Sequence, residues 1–137
     1  MEIEIIDLIV HGDEKGYLIP LEGNKNIPFE IKRVYYIFGT KKDIRRGFHA
    51  HKSLNQVAIC INGSCKILLD DGVDKKEVPL VVQDKGLLIR KMIWHEMYDF
   101  SEDCVLLVLA SDFYDENDYI RSYDSFLQEI KNKKNDQ

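Results

Sequence analysis

A chain of 137 residues, 45% apolar and 31% charged, has the composition of one ordinary folded domain, without the low hydrophobicity of a disordered segment or the repeats of a fibre. Its net charge of -5 comes from mixed acidic and basic residues, with no long basic stripe except the short tail Lys131, Lys133 and Lys134, which argues against a protein built to track phosphates along a nucleic acid. No run approaches the roughly 20 apolar residues that span a bilayer, and the acidic start MEIEIID lacks the basic and apolar regions of a signal peptide, so a cytoplasmic protein without membrane contact is expected.

In chain order, β-branched and aromatic runs separated by turn residues predict strands over Ile3 to Val10, Tyr17 to Leu21 and Ile31 to Phe38. His11, which precedes Gly12 and Asp13, reads as a turn residue. Gln56 to Ile61 and Cys65 to Leu69 flank Asn62-Gly63-Ser64 and predict a hairpin, followed by a second turn at Asp70-Asp71-Gly72. Further strands are predicted over Val78 to Val82, Leu87 to Arg90, Glu96 to Phe100 and Val105 to Ala110, at the turn spacing of a β-sandwich or barrel. The period changes only beyond about residue 112. Tyr119, Ile120, Tyr123, Phe126, Leu127 and Ile130 then recur at helical spacing, which predicts one C-terminal helix over about 117–132, capped by Asn117 or Asp118 and packed on the barrel through its aromatic stripe. No repeat or Gly/Ser linker divides the chain, so 1–137 is one all-β domain with a C-terminal helix. Cys60, Cys65 and Cys104 are odd in number and form neither a CxxC pair nor another zinc-ligand spacing; they are expected to be free, buried thiols.

Two of the four histidines stand at i and i+2 in Gly47-Phe48-His49-Ala50-His51, a spacing that on a strand aims both imidazoles at one face. His95, in Ile93-Trp94-His95-Glu96, lies at the edge of a later strand, and a barrel can bring it to the same cavity. Taken alone, the pair could equally be two exposed strand histidines. The pattern Gly-x-His-x-His, then Gln56 and Gly63, with the later His95, resembles the two sequence blocks of the cupin family, which implies a jelly-roll barrel. In metal-binding cupins the first block supplies two His and a Glu and the second another His; here Gln56 occupies the Glu position, and Arg90, Lys91 and Met92 stand where a Pro and a Gly usually precede the last His. Losing the anionic donor weakens a divalent-cation site, so no metal and no cofactor are expected. An imidazole with a pKa near 6.5 is instead suited to moving protons near neutral pH.

A closer resemblance rests on Ile27-Pro28-Phe29-Glu30-Ile31-Lys32-Arg33-Val34-Tyr35-Tyr36-Ile37, Arg46-Gly47-Phe48-His49-Ala50-His51-Lys52, Asn62-Gly63-Ser64-Cys65, Leu69-Asp70-Asp71-Gly72, Trp94-His95-Glu96-Met97 and Ala110-Ser111-Asp112-Phe113-Tyr114-Asp115-Glu116. These segments, from about Asn24 to about Tyr123, are similar to the dTDP-4-keto-6-deoxyglucose 3,4-ketoisomerases of bacterial surface-polysaccharide biosynthesis. The resemblance implies a jelly-roll homodimer with exchanged N-terminal strands that moves the sugar ketone from carbon 4 to carbon 3, ahead of an aminotransferase. Within that reading, His49 is the candidate base and His51 the candidate proton shuttle, with the two roles open to exchange. Tyr35, on one strand face with Arg33, is the candidate donor to the ketone oxygen, and Tyr36 a packed aromatic. Arg33, Arg46 and Arg90 are the candidate pyrophosphate ligands, Gln56 a partner for a sugar hydroxyl, and His95 a further substrate-site residue. Asp112, Asp115, Glu116 and Asp118 are assigned to helix capping and surface solvation. A cupin sugar epimerase, a metal-dependent oxygenase and a non-catalytic sugar-binding cupin are the competing readings.

Overall fold

The computed structural model describes residues 1–136. The chain begins with β1 (Ile5–Asp7), β2 (His11–Asp13), β3 (Gly16–Leu18) and β4 (Arg33–Ile37), and continues through β5 (Arg46–His51), β6 (Gln56–Asn62), β7 (Cys65–Asp70) and β8 (Lys75–Leu80). It then forms β9 (Lys85–Ile89), β10 (Trp94–Tyr98) and β11 (Val105–Ala110), and ends with a 3-10 turn (Glu116–Asp118), β12 (Tyr119–Ile120) and the helix α1 (Tyr123–Asn135). Two five-stranded sheets, in the orders β1-β9-β6-β11-β4 and β12-β5-β10-β7-β8, bury their inner faces against each other, and β2 and β3 form a separate hairpin. This is the expected all-β class, a cupin-type jelly roll with one C-terminal helix.

Strand periodicity explains the layering. Ala58 and Cys60 of β6 join Leu87, Leu106 and Val108 in the core between the sheets, opposite Cys65, Ile67, Leu69 and Met97. The alternate residues Val57 and Ile59 point outward, where Leu8, Ile27 and the chain from Ile19 to Ile31 cover them. Thus β6 is buried on both faces, which is why it reads as an unbroken apolar run. On the far side, Phe126 of α1 packs on Ala50, Met92, Trp94 and Ile120 over the outer face of the second sheet.

Three sequence expectations are corrected. β6 and β7 are not a hairpin: β6 pairs with β9 and β11, whereas β7 pairs with β8 and β10. Asn62-Gly63-Ser64 is instead a corner that carries the chain from one sheet to the other. Its Gly63 adopts φ +71°, and a Cβ there would lie 2.9 Å from the Cys104 Cα. The helix starts at Tyr123, with Ser122 as N-cap accepting from the Ser125 N–H at 3.3 Å, because Tyr119 and Ile120 are held extended against β5. His11 lies on β2, paired with Leu18, and not in the turn.

Phe126 is fully buried at the centre of the helix-to-sheet layer, where Tyr123, Leu127 and Ile130 of α1 pack around it only partly buried, so Phe126→Ala is expected to lower unfolding free energy by about 3–5 kcal/mol. Urea denaturation should show this as a lower midpoint at unchanged slope. A loss below about 1 kcal/mol would mean that the helix is not part of the cooperative core.

Candidate active site

β5 and β10 set the histidines. Their register places His49 directly across from His95, and a shift between His95 and Glu96 accommodates a bulge at Gly47 and Phe48, which have φ of +93° and +59°. A Cβ on Gly47 would lie 2.9 Å from the His95 carbonyl oxygen, so only glycine permits this close approach. Alternation then brings His51 to the same face as His49. The His49 ring is 5.0 Å from that of His51 and 4.5 Å from that of His95, centroid to centroid. His49 is half-buried, whereas His51 and His95 are each 3% exposed.

All three imidazoles share one tautomer. Nδ1 of His49 lies 3.0 Å from the Gly47 carbonyl oxygen, Nδ1 of His95 lies 3.2 Å from that of Ile93, and Nδ1 of His51 lies 3.2 Å from the Asp118 carboxylate. Each partner can only accept, so each Nδ1 carries the proton and each Nε2 presents a lone pair. The buried Nε2 of His51 has no partner in the protein. Burial lowers the pKa of all three: that of His49 falls below its ordinary value, that of His51 to about 4 with further repulsion from His49, and that of His95 to about 3 for the same two reasons. The cluster is therefore uncharged at neutral pH and able to accept a proton.

The 3-10 turn and β12 form a wall that the sequence pattern had assigned to the helix and to solvent. Tyr119 pairs with His51 across β12 and β5, with its ring 4.4 Å from that of His51 and 4.9 Å from that of His49. Asp118 accepts from the Ser53 N–H at 2.9 Å, the Ser53 hydroxyl at 2.7 Å and the Leu54 N–H at 3.3 Å, in addition to His51. Burial opposes ionisation of Asp118, but these hydrogen bonds outweigh it and hold the carboxyl below its usual range. Neither residue carries a sequence signal beyond its three-residue run into β12, since their spacing continues the apolar period of α1.

The opposite wall comes from the first sheet. Gln56 Nε2 donates to the Tyr35 hydroxyl oxygen at 2.8 Å, leaving the phenolic hydrogen free to donate elsewhere. Burial pushes the Tyr35 phenol up to about 12, so it stays a donor. Gln56 is thus spent on holding Tyr35. Arg33 lies 5.0 Å from the Tyr35 ring centroid, and Arg33, Tyr35, Arg46, His49, Tyr119 and Arg121 line one open cavity of about 440 Å³. Arg121, which was not among the sequence candidates, makes a double hydrogen bond to Glu116 at 2.7 and 2.9 Å. Arg90 does not join them. Its guanidinium is bound to Glu4 at 2.6 and 2.9 Å beside β1, on another part of the surface.

The structure thus gathers a histidine cluster, the Tyr35 phenol and the side chains of Arg33, Arg46 and Arg121 around one cavity. The family model FdtA (WxcM-like, C-terminal) matches residues 1–131. The chain belongs to this family of sugar 3,4-ketoisomerases. It is 55% identical over 130 residues to the TDP-4-oxo-6-deoxy-alpha-D-glucose-3,4-oxoisomerase of Aneurinibacillus thermoaerophilus, covering 95% of this chain and 94% of that protein. A 3,4-ketoisomerase from Helicobacter canadensis superposes with a TM-score of 0.93 at 52% identity, covering 96% of this chain and 98% of that one. A His-to-Asn variant of the 3,4-ketoisomerase QdtA from Thermoanaerobacterium thermosaccharolyticum, in complex with TDP-4-keto-6-deoxyglucose, gives 0.92 at 50% identity, covering 95% and 94%. A sugar epimerase from Streptomyces bikiniensis, at 14% identity, shares only the fold.

Like these relatives, the ketoisomerase described here is an isomerase. Its three histidines are close enough to share a divalent ion, one ring nitrogen of each lying within 4.8 Å of the others. The surroundings do not suit one: the fourth cupin donor is the neutral Gln56, the Asp118 carboxylate sits behind His51 on Nδ1, the Glu116 carboxylate is engaged by Arg121, and Arg33 and Arg46 add positive charge to the same cavity.

Burying neutral histidines ties stability to pH. Unfolded, His51 and His95 titrate near 6.5; folded, near about 4 and about 3. Below 6.5 the unfolded chain binds more protons, so stability is full above that value and falls as pH drops toward the folded values, by on the order of 1.4 kcal/mol per pH unit per group. Urea midpoints are expected to be flat above about pH 7 and to decline between about pH 6 and 4.5, with a shallower decline in His95→Asn. Equal slopes in the two proteins would show that His95 is not a buried neutral group.

Proposed function

We propose that this ketoisomerase converts dTDP-4-keto-6-deoxyglucose into a dTDP-3-keto-6-deoxyhexose by histidine acid–base catalysis without a metal. One observation carries the reading: His49, neutral with its Nε2 lone pair available, shares a cavity with a Tyr35 phenol whose hydrogen is left free by Gln56. His49, which lines the cavity, removes the proton from carbon 3. Electrons move into the carbon 4 carbonyl, and Tyr35 donates a hydrogen bond to the oxygen as charge grows there, giving an enediolate. His51, held by Asp118, relays the proton of the carbon 3 hydroxyl to the carbon 4 oxygen as the new ketone forms, and protonated His49, after exchange with solvent, returns a proton to carbon 4, which restores both imidazoles to the neutral form. His95 packs beside His49 and limits its water contact. Arg33, Arg46 and Arg121 bind the pyrophosphate, since guanidinium stays charged and presents a planar fork to phosphate oxygens. The product is suited to an aminotransferase that installs a 3-amino group for surface polysaccharide, and three free thiols accord with a reducing cytoplasm.

The test is proton NMR of the sugar in deuterated water. Wild-type protein is expected to give a 3-keto product with deuterium at carbon 4, at the same rate with and without chelator. His49→Asn should lose about 10²–10⁴-fold in kcat, and Tyr35→Phe about 10²–10³-fold. No exchange at carbon 3 would end the catalytic reading, and chelator-sensitive turnover would end its metal-free form.

The active unit of this reading is a homodimer with exchanged N-terminal strands. Ile9, Tyr17 and Leu18 on and beside the β2–β3 hairpin are 68%, 73% and 61% exposed, an apolar surface for a second copy to cover. Sedimentation velocity should find a dimer at micromolar concentration that becomes monomeric in Tyr17→Glu/Leu18→Glu; a monomeric wild type would remove this part of the proposal.

A further inference from the structure

At the other end of the sandwich lies a second cluster that isomerisation does not use. Cys60 ends the inner face of β6, Cys65 opens β7 and Cys104 immediately precedes β11, so the three come from both sheets. Cys60 is four residues along β6 from Gln56, roughly 13 Å away at strand rise. All three are 1–2% exposed, and their sulfur atoms lie within 4.8 Å of one another, with Cys60 Sγ and Cys104 Sγ 3.7 Å apart.

We propose that Cys60, Cys65 and Cys104 form a three-thiolate site for a soft, thiophilic metal cation. Geometry favours an ion over a disulfide. Three sulfurs around a metal at about 2.3 Å sit about 3.8–4.0 Å apart, within a few tenths of an ångström of the observed pair, whereas a disulfide would require those sulfurs to close to about 2.05 Å. An all-sulfur donor set selects soft ions over magnesium or calcium. Access is through two short loops over the cluster. Ser64 N–H donates to the Ser101 hydroxyl at 2.8 Å, Ser101 N–H to the Ser64 carbonyl at 2.9 Å and Asn62 Nδ2 to the Asp103 carbonyl at 2.9 Å. Opening those contacts reaches the thiols without unfolding a sheet.

The probe is Cd²⁺ added to the full chain, reduced with a phosphine under anaerobic conditions. The expected result is one equivalent bound, an ultraviolet thiolate-to-cadmium charge-transfer band that saturates with it, and slower labelling of the three thiols by a disulfide reagent. Cys60→Ser and Cys104→Ser are expected to lose at least tenfold in cadmium affinity while keeping isomerase turnover, which also reports that they fold. His49→Asn/His51→Asn should keep the band, separating this cluster from the imidazoles. Labelling protection is read on the unmodified protein, so it stands even if a variant misfolds. Cadmium bound without a thiolate band, a band that survives Cys60→Ser, or thiols labelled equally fast with and without the ion would each overturn the proposal.

Discussion

Asp118 joins two parts of the chain that the fold would otherwise leave independent. Its carboxylate gathers the Ser53 hydroxyl, two backbone N–H groups after β5 and the Nδ1 proton of His51, and its carbonyl accepts from the Lys52 N–H at 2.9 Å. These bonds hold the 3-10 turn against the histidine strand, and the turn delivers Tyr119 and Arg121 to the cavity. They also settle which His51 nitrogen carries the proton. One half-buried anion with four hydrogen bonds to its carboxylate thus fixes a wall, an orientation and a tautomer together.

The electrostatic character of the site follows from how its charges are separated. The imidazoles and the phenol are half-buried or buried and uncharged, while Arg33, Arg46 and Arg121 line the same cavity, Arg46 and Arg121 as exposed residues. In the proposed reaction a dianionic substrate would meet fixed positive charge from the arginines and neutral imidazoles beside them, so that proton transfer would occur where water competes least. The same arrangement disfavours a cation among the histidines.

The fold class and the histidine pair were legible because both rest on period two: His49 and His51 had to share a face if Arg46 to His51 was a strand. The third histidine followed from the cupin-like blocks. What escaped the sequence was a matter of pairing partners. Tyr119 and Ile120 fit a helical stripe as well as they fit a strand, and only β5 beside them decides the matter. Asn62-Gly63-Ser64 has good hairpin chemistry, yet turn residues do not say whether the next strand returns to the same sheet. Arg90 looked as available as Arg46 until Glu4, distant in sequence, claimed it. The three cysteines showed no ligand spacing because their proximity comes from a corner and a sheet crossing.

The two walls of the cavity hang on parts of the molecule that differ greatly in permanence. Gln56, which holds the hydroxyl of Tyr35 on the edge strand β4, lies on β6, which is flanked by β9 and β11 and covered on both faces. Tyr119 and Arg121 belong to a two-residue edge strand and the exposed residue after it, which rest on one neighbouring strand, β5, and on the Asp118 hydrogen bonds. One wall is therefore braced from the middle of a sheet through the Gln56 amide, and the other from a sheet edge through a single carboxylate.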